Sequence, residues 1–122
     1  MSQPPEPGRK RLGKRFYVIL SRPTEKGGDR AAVRAQHFAF IDDLERRGIL
    51  FAAGPEVDES DEPQGPGIIV IRAPSLEAAA AVADSDPFHR LGYRRYELRT
   101  WRISEGGFTL RARFSSQTFE LD

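Results

Sequence analysis

The sequence predicts an α+β domain in which two helices pack against an antiparallel sheet of four strands. Four short segments rich in β-branched and aromatic residues predict the strands. One amphipathic segment with helical spacing and one Ala-rich segment of high helix propensity predict the helices. With 122 residues, of which 39% are apolar and 30% charged, the chain fits a single ordinary globular domain.

The first strand and the first helix follow a basic tail. Residues 1–15 combine Pro, Gly and cations, which predicts a disordered segment. The run FYVILS at 16–21 is apolar at nearly every position, as in a strand that is covered on both faces. Asp29 is a favourable N-cap, so we expect a helix over 29–47. The apolar face of this helix comprises Val33, His37, Phe40, Ile41 and Leu44.

Two further strands flank an acidic loop. The run ILFAAG at 49–54 predicts the second strand, which ends at Gly54-Pro55. Residues 56–62 carry five carboxylates, as in a solvated segment. The run GIIVIRA at 67–73 predicts the third strand because it is rich in β-branched residues.

The second helix and the fourth strand complete the domain. The Ala-rich helix begins at Pro74-Ser75, and it ends at Asp86 because a residue before proline is disfavoured in the helical region. After a loop, RRYELRTWRI at 94–103 predicts the fourth strand. Residues 104–122 predict a C-terminal β extension, whose strand can fold back on the fourth strand as a hairpin.

The order βαββαβ is that of the ferredoxin-like split βαβ arrangement. It places both helices on one face of the antiparallel sheet, and we assign this domain to residues 16–103. No further helix is available in so short a chain to cover the other face. We therefore expect a second copy of the sheet to cover it in a homodimer.

Composition argues against several classes of function. A net charge of +1 indicates neither a nucleic acid nor a membrane partner, and no apolar run approaches the ~20 residues of a membrane span. The third strand lacks the aromatic residues of an RNA-recognition strand. With no cysteine, two histidines and no phosphate-binding loop, we expect no cofactor and no metal. The absence of cysteine agrees with a reducing cytoplasm, where we expect the protein, although any compartment tolerates it.

His37 and Asp86 are the candidates for acid–base chemistry. An unperturbed histidine titrates near neutral pH and can act as a general acid or base, whereas a core histidine is the alternative. Asp86, held by Pro87 beyond the second helix, can orient His37 and hold its tautomer. A turn-forming aspartate is the alternative for Asp86. His89 follows in a loop, and we expect it at the surface or the rim of a cleft.

Several other side chains are candidates for substrate binding. Ser21 and Arg22 end the first strand, and Arg34 lies one turn before the helical histidine. An arginine binds anionic groups through its planar fork, and a solvated loop arginine is the alternative for Arg22. Gly54 and Pro55 make a sharp strand end that can form a wall of the cleft.

Three motifs at their spacing resemble those of the YciI-like (YCII-related) family. They are R-x-x-H on the first helix, L-x-x-x-G-x-L/I-x-x-A-G-P at the second strand and D-P-F/Y after the second helix. The resemblance covers about 16–103 and implies a dimeric α+β barrel whose cleft contains a His-Asp pair, here His37 and Asp86. It also implies lyase or isomerase chemistry, as in a dehydrochlorinase relative. The neighbouring motif positions are filled by Arg34, Gly54, Pro55 and Pro87.

Two functions from different classes follow. The first is an enzyme that moves a proton on a small cyclic or carbonyl-bearing metabolite, with His37 as acid/base, Asp86 as its orienting partner and Arg22 or Arg34 holding an anionic group. The second is a non-catalytic ligand-binding or interaction module that uses the same cleft or the tails. A monooxygenase of the same barrel superfamily is a third. We expect a small-molecule ligand and a second copy of the chain as partners.

Overall fold

The computed structural model describes residues 11–122, so most of the tail predicted at 1–15 lies outside the described residues. Residues 15–102 form one compact unit, and the described residues on either side of it belong to another. The elements in chain order are β1 (Lys14–Pro23), α1 (Arg30–Arg46), β2 (Leu50–Val57), β3 (Pro63–Ile71), α2 (Leu76–Ser85), α3 (Pro87–Arg90), β4 (Arg94–Ile103), β5 (Leu110–Arg113) and β6 (Thr118–Leu121).

The predicted fold class is confirmed by the sheet. Strands β1 to β4 form one sheet in the order β2-β3-β1-β4, which is the order of the split βαβ arrangement. β3 pairs antiparallel with both β1 and β2. One row across the sheet joins Pro55, Gly67 and Ser21, since Gly67 is the partner of both other residues.

The core lies on the face of the sheet that the helices cover. Alternate residues of the central strands point to this face, with Tyr17 and Ile19 from β1 and Ile69 and Ile71 from β3. The small side chains of α2 let this helix pack closely on them, as the Ala-rich sequence predicts. Ile41 of α1 packs against the same cluster, so both helices cover one face.

Helix α1 begins and ends by local side-chain and backbone chemistry. The Asp29 carboxylate accepts hydrogen bonds from the backbone N–H groups of Ala31 and Ala32, at 3.1 and 3.3 Å. At the other end, Gly48 follows the cap with φ of +72°, a conformation that glycine adopts at little cost. These interactions fix both ends of α1, and His37 lies near the middle of the helix.

The acidic segment forms the end of the β2–β3 hairpin. Both strands extend further than predicted, because Val57 still pairs with Pro63. The Asp58 carboxylate accepts hydrogen bonds from the N–H groups of Ser60 and Glu62, at 2.7 and 3.2 Å, and so stabilises the turn. Register shifts between paired residues bend this part of the hairpin.

Two sequence-based expectations were wrong in detail. The segment after Asp86 is not wholly a loop, because Pro87–Arg90 form the short helix α3 with Asp86 as its N-cap. The C-terminal strand β5 pairs with β6 instead of β4. In that hairpin Leu110 opposes Leu121 and Arg111 opposes Glu120, so one face is apolar and the other charged. A second strand at 118–121 thus supplies the pairing that was expected from β4.

The raised pKa of the Tyr96 hydroxyl predicts that the protein loses stability as the pH becomes alkaline. Burial, and a hydrogen bond of 2.7 Å that the hydroxyl donates to the Asp84 carboxylate, raise the pKa of Tyr96 to about 12 from the ordinary 10.0. Because the folded state holds this proton more tightly than the unfolded state does, its contribution to stability is complete below pH 10 and is lost between pH 10 and 12.

We expect the denaturant midpoint of the wild-type protein to fall across this pH range more steeply than that of Tyr96→Phe. Chemical denaturation followed by circular dichroism at several pH values measures the difference. Tyr93→Phe is the control, because it also removes one tyrosine hydroxyl but retains Tyr96. An equal fall in the midpoint for wild type and Tyr96→Phe would contradict the assignment.

Candidate acid–base site

His37 and Asp86 meet at the junction of α1 and α3. The Nδ1 atom of His37 lies 3.0 Å from Asp86 Oδ1 and 2.9 Å from Asp86 Oδ2. The Asp86 side chain is 2% exposed and the His37 side chain 19% exposed. Because an ionised carboxylate only accepts hydrogen bonds, this contact places the proton of the neutral imidazole on Nδ1. His37 Nε2 then has a free lone pair, since no described residue bonds to it.

The local sequence explains why Asp86 is held in this position. Pro87 occupies the first position of α3, where its missing N–H group costs nothing. The backbone N–H of Phe88 donates to Asp86 Oδ1 at 2.9 Å. Asp86 therefore caps α3 and bonds His37 with the same carboxylate, which fixes the direction of both oxygens.

Phe88 and Arg94 extend the site on one side of His37. The Phe88 ring lies 5.0 Å from the His37 ring, between centroids, and is buried. The guanidinium carbon of Arg94 lies 5.4 Å from the centroid of Phe88. Burial lowers the pKa of Arg94, the charge of Arg30 lowers it further, and the Asp86 carboxylate opposes both effects. A partly buried cation thus lies close to the His-Asp pair.

His89 is held by two hydrogen bonds next to this group. Its Nδ1 atom lies 2.7 Å from the Ala83 carbonyl, which can only accept, so Nδ1 carries a proton. The Ser21 hydroxyl lies 2.7 Å from Nε2 and donates to it when the ring is neutral. His89 thereby joins α3 to β1, instead of projecting from the surface as a rim residue.

The remaining candidate residues lie in different places relative to His37. Arg34 is exposed one turn before His37 on α1. Pro55 lies in the same row of the sheet as Ser21. Arg22 is not brought to this group, because side chains alternate along β1 and it projects from the other face, where it pairs with Glu97 at 3.8 Å. Gly54 is exposed on β2, and Pro87 is buried in α3.

Arg94 and His89 were not identified by the sequence analysis as members of the group of side chains around His37 and Asp86. Arg94 shares its side of β4 with Tyr96 and Leu98, both of which pack on the core. A charged residue on the apolar side of a strand is therefore the signal that could have identified Arg94. For His89 the local sequence contains no such signal, since its partner Ser21 is 68 positions away.

The comparison with known families decides the family of the chain. The family model for the YCII-related domain matches residues 15–102. The chain belongs to the YCII-related family. The match includes both His37 and Asp86, and it spans the compact unit that contains β1 to β4.

Two similar proteins extend this finding. The uncharacterized protein YjpA of Bacillus subtilis is 30% identical over 89 residues, which cover 73% of this chain and 96% of that protein. The fold is similar to a solved structure of 5-chloro-2-hydroxyhydroquinone dehydrochlorinase (TftG) from Burkholderia phenoliruptrix AC1100, in complex with 2,5-dihydroxybenzoquinone. That match has a TM-score of 0.55 and 18% identity, and it covers 75% of this chain and 95% of the other.

The described residues contain neither a candidate membrane-spanning helix nor a candidate metal-binding cluster. No helix between residues 11 and 122 is long and apolar enough to cross a membrane. Within the same range, no three His, Cys, Asp or Glu side chains are grouped so that they could hold a metal ion.

The geometry predicts the tautomers of both histidines. In Asp86→Asn we expect the amide oxygen to accept from Phe88 N–H and the NH₂ group to face His37. The neutral His37 ring should then carry its proton on Nε2, because Nδ1 must accept. Nitrogen-15 NMR of the imidazole rings distinguishes the two tautomers. His89 is the internal control and should keep its proton on Nδ1; a His37 ring with the Nε2 proton in wild type would refute the assignment.

Proposed function

We propose that the protein is a small-molecule lyase or isomerase in which His37 transfers a proton on a cyclic or carbonyl-bearing metabolite. The observation that carries this proposal is the buried carboxylate of Asp86 bonded to His37 Nδ1, at 2.9 and 3.0 Å. With Nδ1 engaged, Nε2 is the nitrogen available to take a proton from a substrate and to return it. Asp86 keeps the ring in that tautomer and stabilises the imidazolium that forms.

The surroundings of the pair suit a base that must approach carbon. The Phe88 ring packs beside the imidazole, and the His37 side chain remains 19% exposed. A base beside apolar surface is poorly hydrated, so less water must be displaced when substrate binds. Elimination and isomerisation both need one group that takes a proton from carbon and delivers one.

The fold neighbour suggests which compounds to test first. TftG is named as a dehydrochlorinase of a chlorinated hydroxyhydroquinone, and its structure holds 2,5-dihydroxybenzoquinone. We propose that this YCII-related domain accepts compounds of related chemistry, namely hydroxylated quinones and hydroquinones. Protonation of such a compound on a ring carbon gives a keto tautomer with an sp³ carbon, and removal of a proton from that carbon returns an enolate whose charge the ring and its oxygens delocalise.

Exchange of carbon-bound hydrogen for deuterium tests proton transfer without requiring the complete reaction. In D₂O, 2,5-dihydroxybenzoquinone and a panel of hydroquinones should exchange ring hydrogens faster with the protein than without it. His37→Gln and Asp86→Asn should each slow the enzyme-dependent exchange by about 100- to 10,000-fold, the range of general acid–base catalysis. Proton NMR with time measures the loss of the ring signals.

Arg46→Gln is the control for this experiment. Arg46 lies at the far end of α1, pairs with Asp43 at 3.1 Å and is exposed, so the exchange rate should not change. A His37→Gln variant that remains folded and exchanges at the wild-type rate would refute the proposed role of His37. Saturable binding of a panel compound without any exchange would instead favour a non-catalytic ligand-binding module.

We further propose that two copies of the chain associate through the open face of the sheet. Phe51 packs against the buried Phe16 on that face with tilted rings whose centroids are 4.7 Å apart, and Phe51 and Trp101 are 49% and 47% exposed. Phe51 and Trp101 lie opposite the helices, and the fold leaves about half of each side chain exposed. A second copy of the same sheet supplies a matching apolar face. The proposed site of action is the cytoplasm, as the cysteine-free sequence suggests.

Sedimentation equilibrium tests the association. Wild-type protein should have twice the chain mass, and Trp101→Glu should shift the equilibrium to the monomer because it buries a charge in the interface. Leu76→Glu is the matched control, since Leu76 is 52% exposed but belongs to α2 on the helix side. Wild-type protein that sediments as a monomer at micromolar concentration would refute the proposal.

A further inference from the structure

We propose that Arg94 forms an anion-binding subsite beside His37, so that the ligand carries a carboxylate or a comparable anionic group on a small ring. This inference names a substrate class for the proposed function and rests on it for the role of His37. Three features of Arg94 support the subsite: its position, the absence of a carboxylate partner among residues 11–122, and the neighbouring cations.

The position of Arg94 links it to the acid–base pair through one side chain. Its guanidinium carbon is 5.4 Å from the Phe88 ring centroid, and the His37 ring is 5.0 Å from the same centroid. Arg94 and His37 therefore both flank Phe88, and the ligand of the proposed subsite is a compound with one substituted ring that contacts both side chains. The Arg94 side chain is partly exposed, as is His37, so both can meet a ligand from solvent.

The charge of Arg94 is not neutralised by an ion pair. The guanidinium donates one hydrogen bond, from Nη1 to the backbone carbonyl of Ser21 at 3.0 Å, and no described carboxylate lies within 4.0 Å of its nitrogens. Asp86 attracts Arg94 through space, but its oxygens are occupied by His37 and by the N–H of Phe88. A partly buried guanidinium with unused N–H donors is suited to bind a carboxylate with two parallel hydrogen bonds.

Two further arginines strengthen the positive potential at this position. The charges of Arg30 and Arg34 both act on Arg94 and lower its pKa, after the larger effect of burial. Arg30 is occupied, since it donates to the backbone carbonyls of Tyr93, Thr24 and Lys26. The Arg34 side chain makes no hydrogen bond or ion pair with any described residue and is exposed. Like charges held this close repel one another, and an anion relieves that repulsion.

Arg95 offers a matched comparison within the same strand. It is the next residue of β4, so it projects from the opposite face of the sheet, and it is exposed. Arg94→Gln and Arg95→Gln remove the same charge one residue apart. Glutamine is two bonds shorter than arginine, so Arg94→Gln removes the hydrogen bond to the Ser21 carbonyl together with the charge, and binding of an uncharged ligand shows whether that loss disturbs the site.

Binding of benzoate and of the uncharged benzamide, measured by titration in proton–nitrogen NMR spectra, tests the subsite. Wild-type protein should bind benzoate more tightly than benzamide. Arg94→Gln should weaken the binding of benzoate by about 10- to 100-fold, the range for loss of a hydrogen bond to a charged group. The same substitution should leave the binding of benzamide unchanged. Arg95→Gln should change benzoate binding by about twofold or less, because exposed charges at a distance are screened.

Three outcomes would overturn the subsite: wild type that binds neither compound, wild type that binds both equally, and equal losses in the two variants. Arg94→Lys tests whether the loss in Arg94→Gln comes from a disturbed fold. This variant retains the charge, so its affinity for benzoate should lie between the affinities of wild type and Arg94→Gln. The readout is binding and needs no turnover. A protein that binds benzoate through Arg94 but fails the deuterium exchange test would keep the anion subsite and lose the proposed proton transfer.

Discussion

The buried carboxylate of Asp86 is the constraint on which the rest of the site depends. A carboxylate that is almost wholly removed from water is costly unless hydrogen-bond donors surround it. Here the donors come from two elements, the imidazole of His37 on α1 and the N–H of Phe88 in α3. A shift of either element would leave an oxygen without a donor. The ring of His37 is therefore held by the same interactions that hold α3 beside α1.

The two histidines show how similar contacts lead to different roles. Each directs its Nδ1 atom at a group that accepts hydrogen bonds, the carboxylate of Asp86 for His37 and the carbonyl of Ala83 for His89. They differ at Nε2. His89 uses this nitrogen to accept from Ser21, whereas no described residue occupies Nε2 of His37. Only His37 can therefore exchange a proton with a ligand and keep its present contacts.

Arg22 and the arginines near His37 differ in whether a carboxylate pairs with them. On the open face, Arg22 is compensated by Glu97, and this pair is exposed and contributes little. On the helix face, Arg94 and Arg34 have no carboxylate partner among the described residues, and Arg30 bonds only to backbone carbonyls. Arg34 and Arg94 therefore add positive charge near His37 that no described carboxylate pairs with. The open face carries cations as well, since Arg95 is exposed there and Arg22 and Arg99 share the one carboxylate of Glu97.

The sequence by itself determined the order of β1 to β4 with α1 and α2, the apolar face of α1 and the stop at Asp86-Pro87. Hydrophobic period, N-caps and proline act within a few residues, so they can be recognised without the fold. Tertiary structure decided which polar groups meet: Asp86 and His37 are 49 positions apart, and Arg94 and the Ser21 carbonyl 73. It also decided that β5 pairs with its own neighbour, β6. The two side-chain contacts depend on packing between distant segments, and no local pattern encodes them, whereas the β5–β6 hairpin joins neighbouring segments.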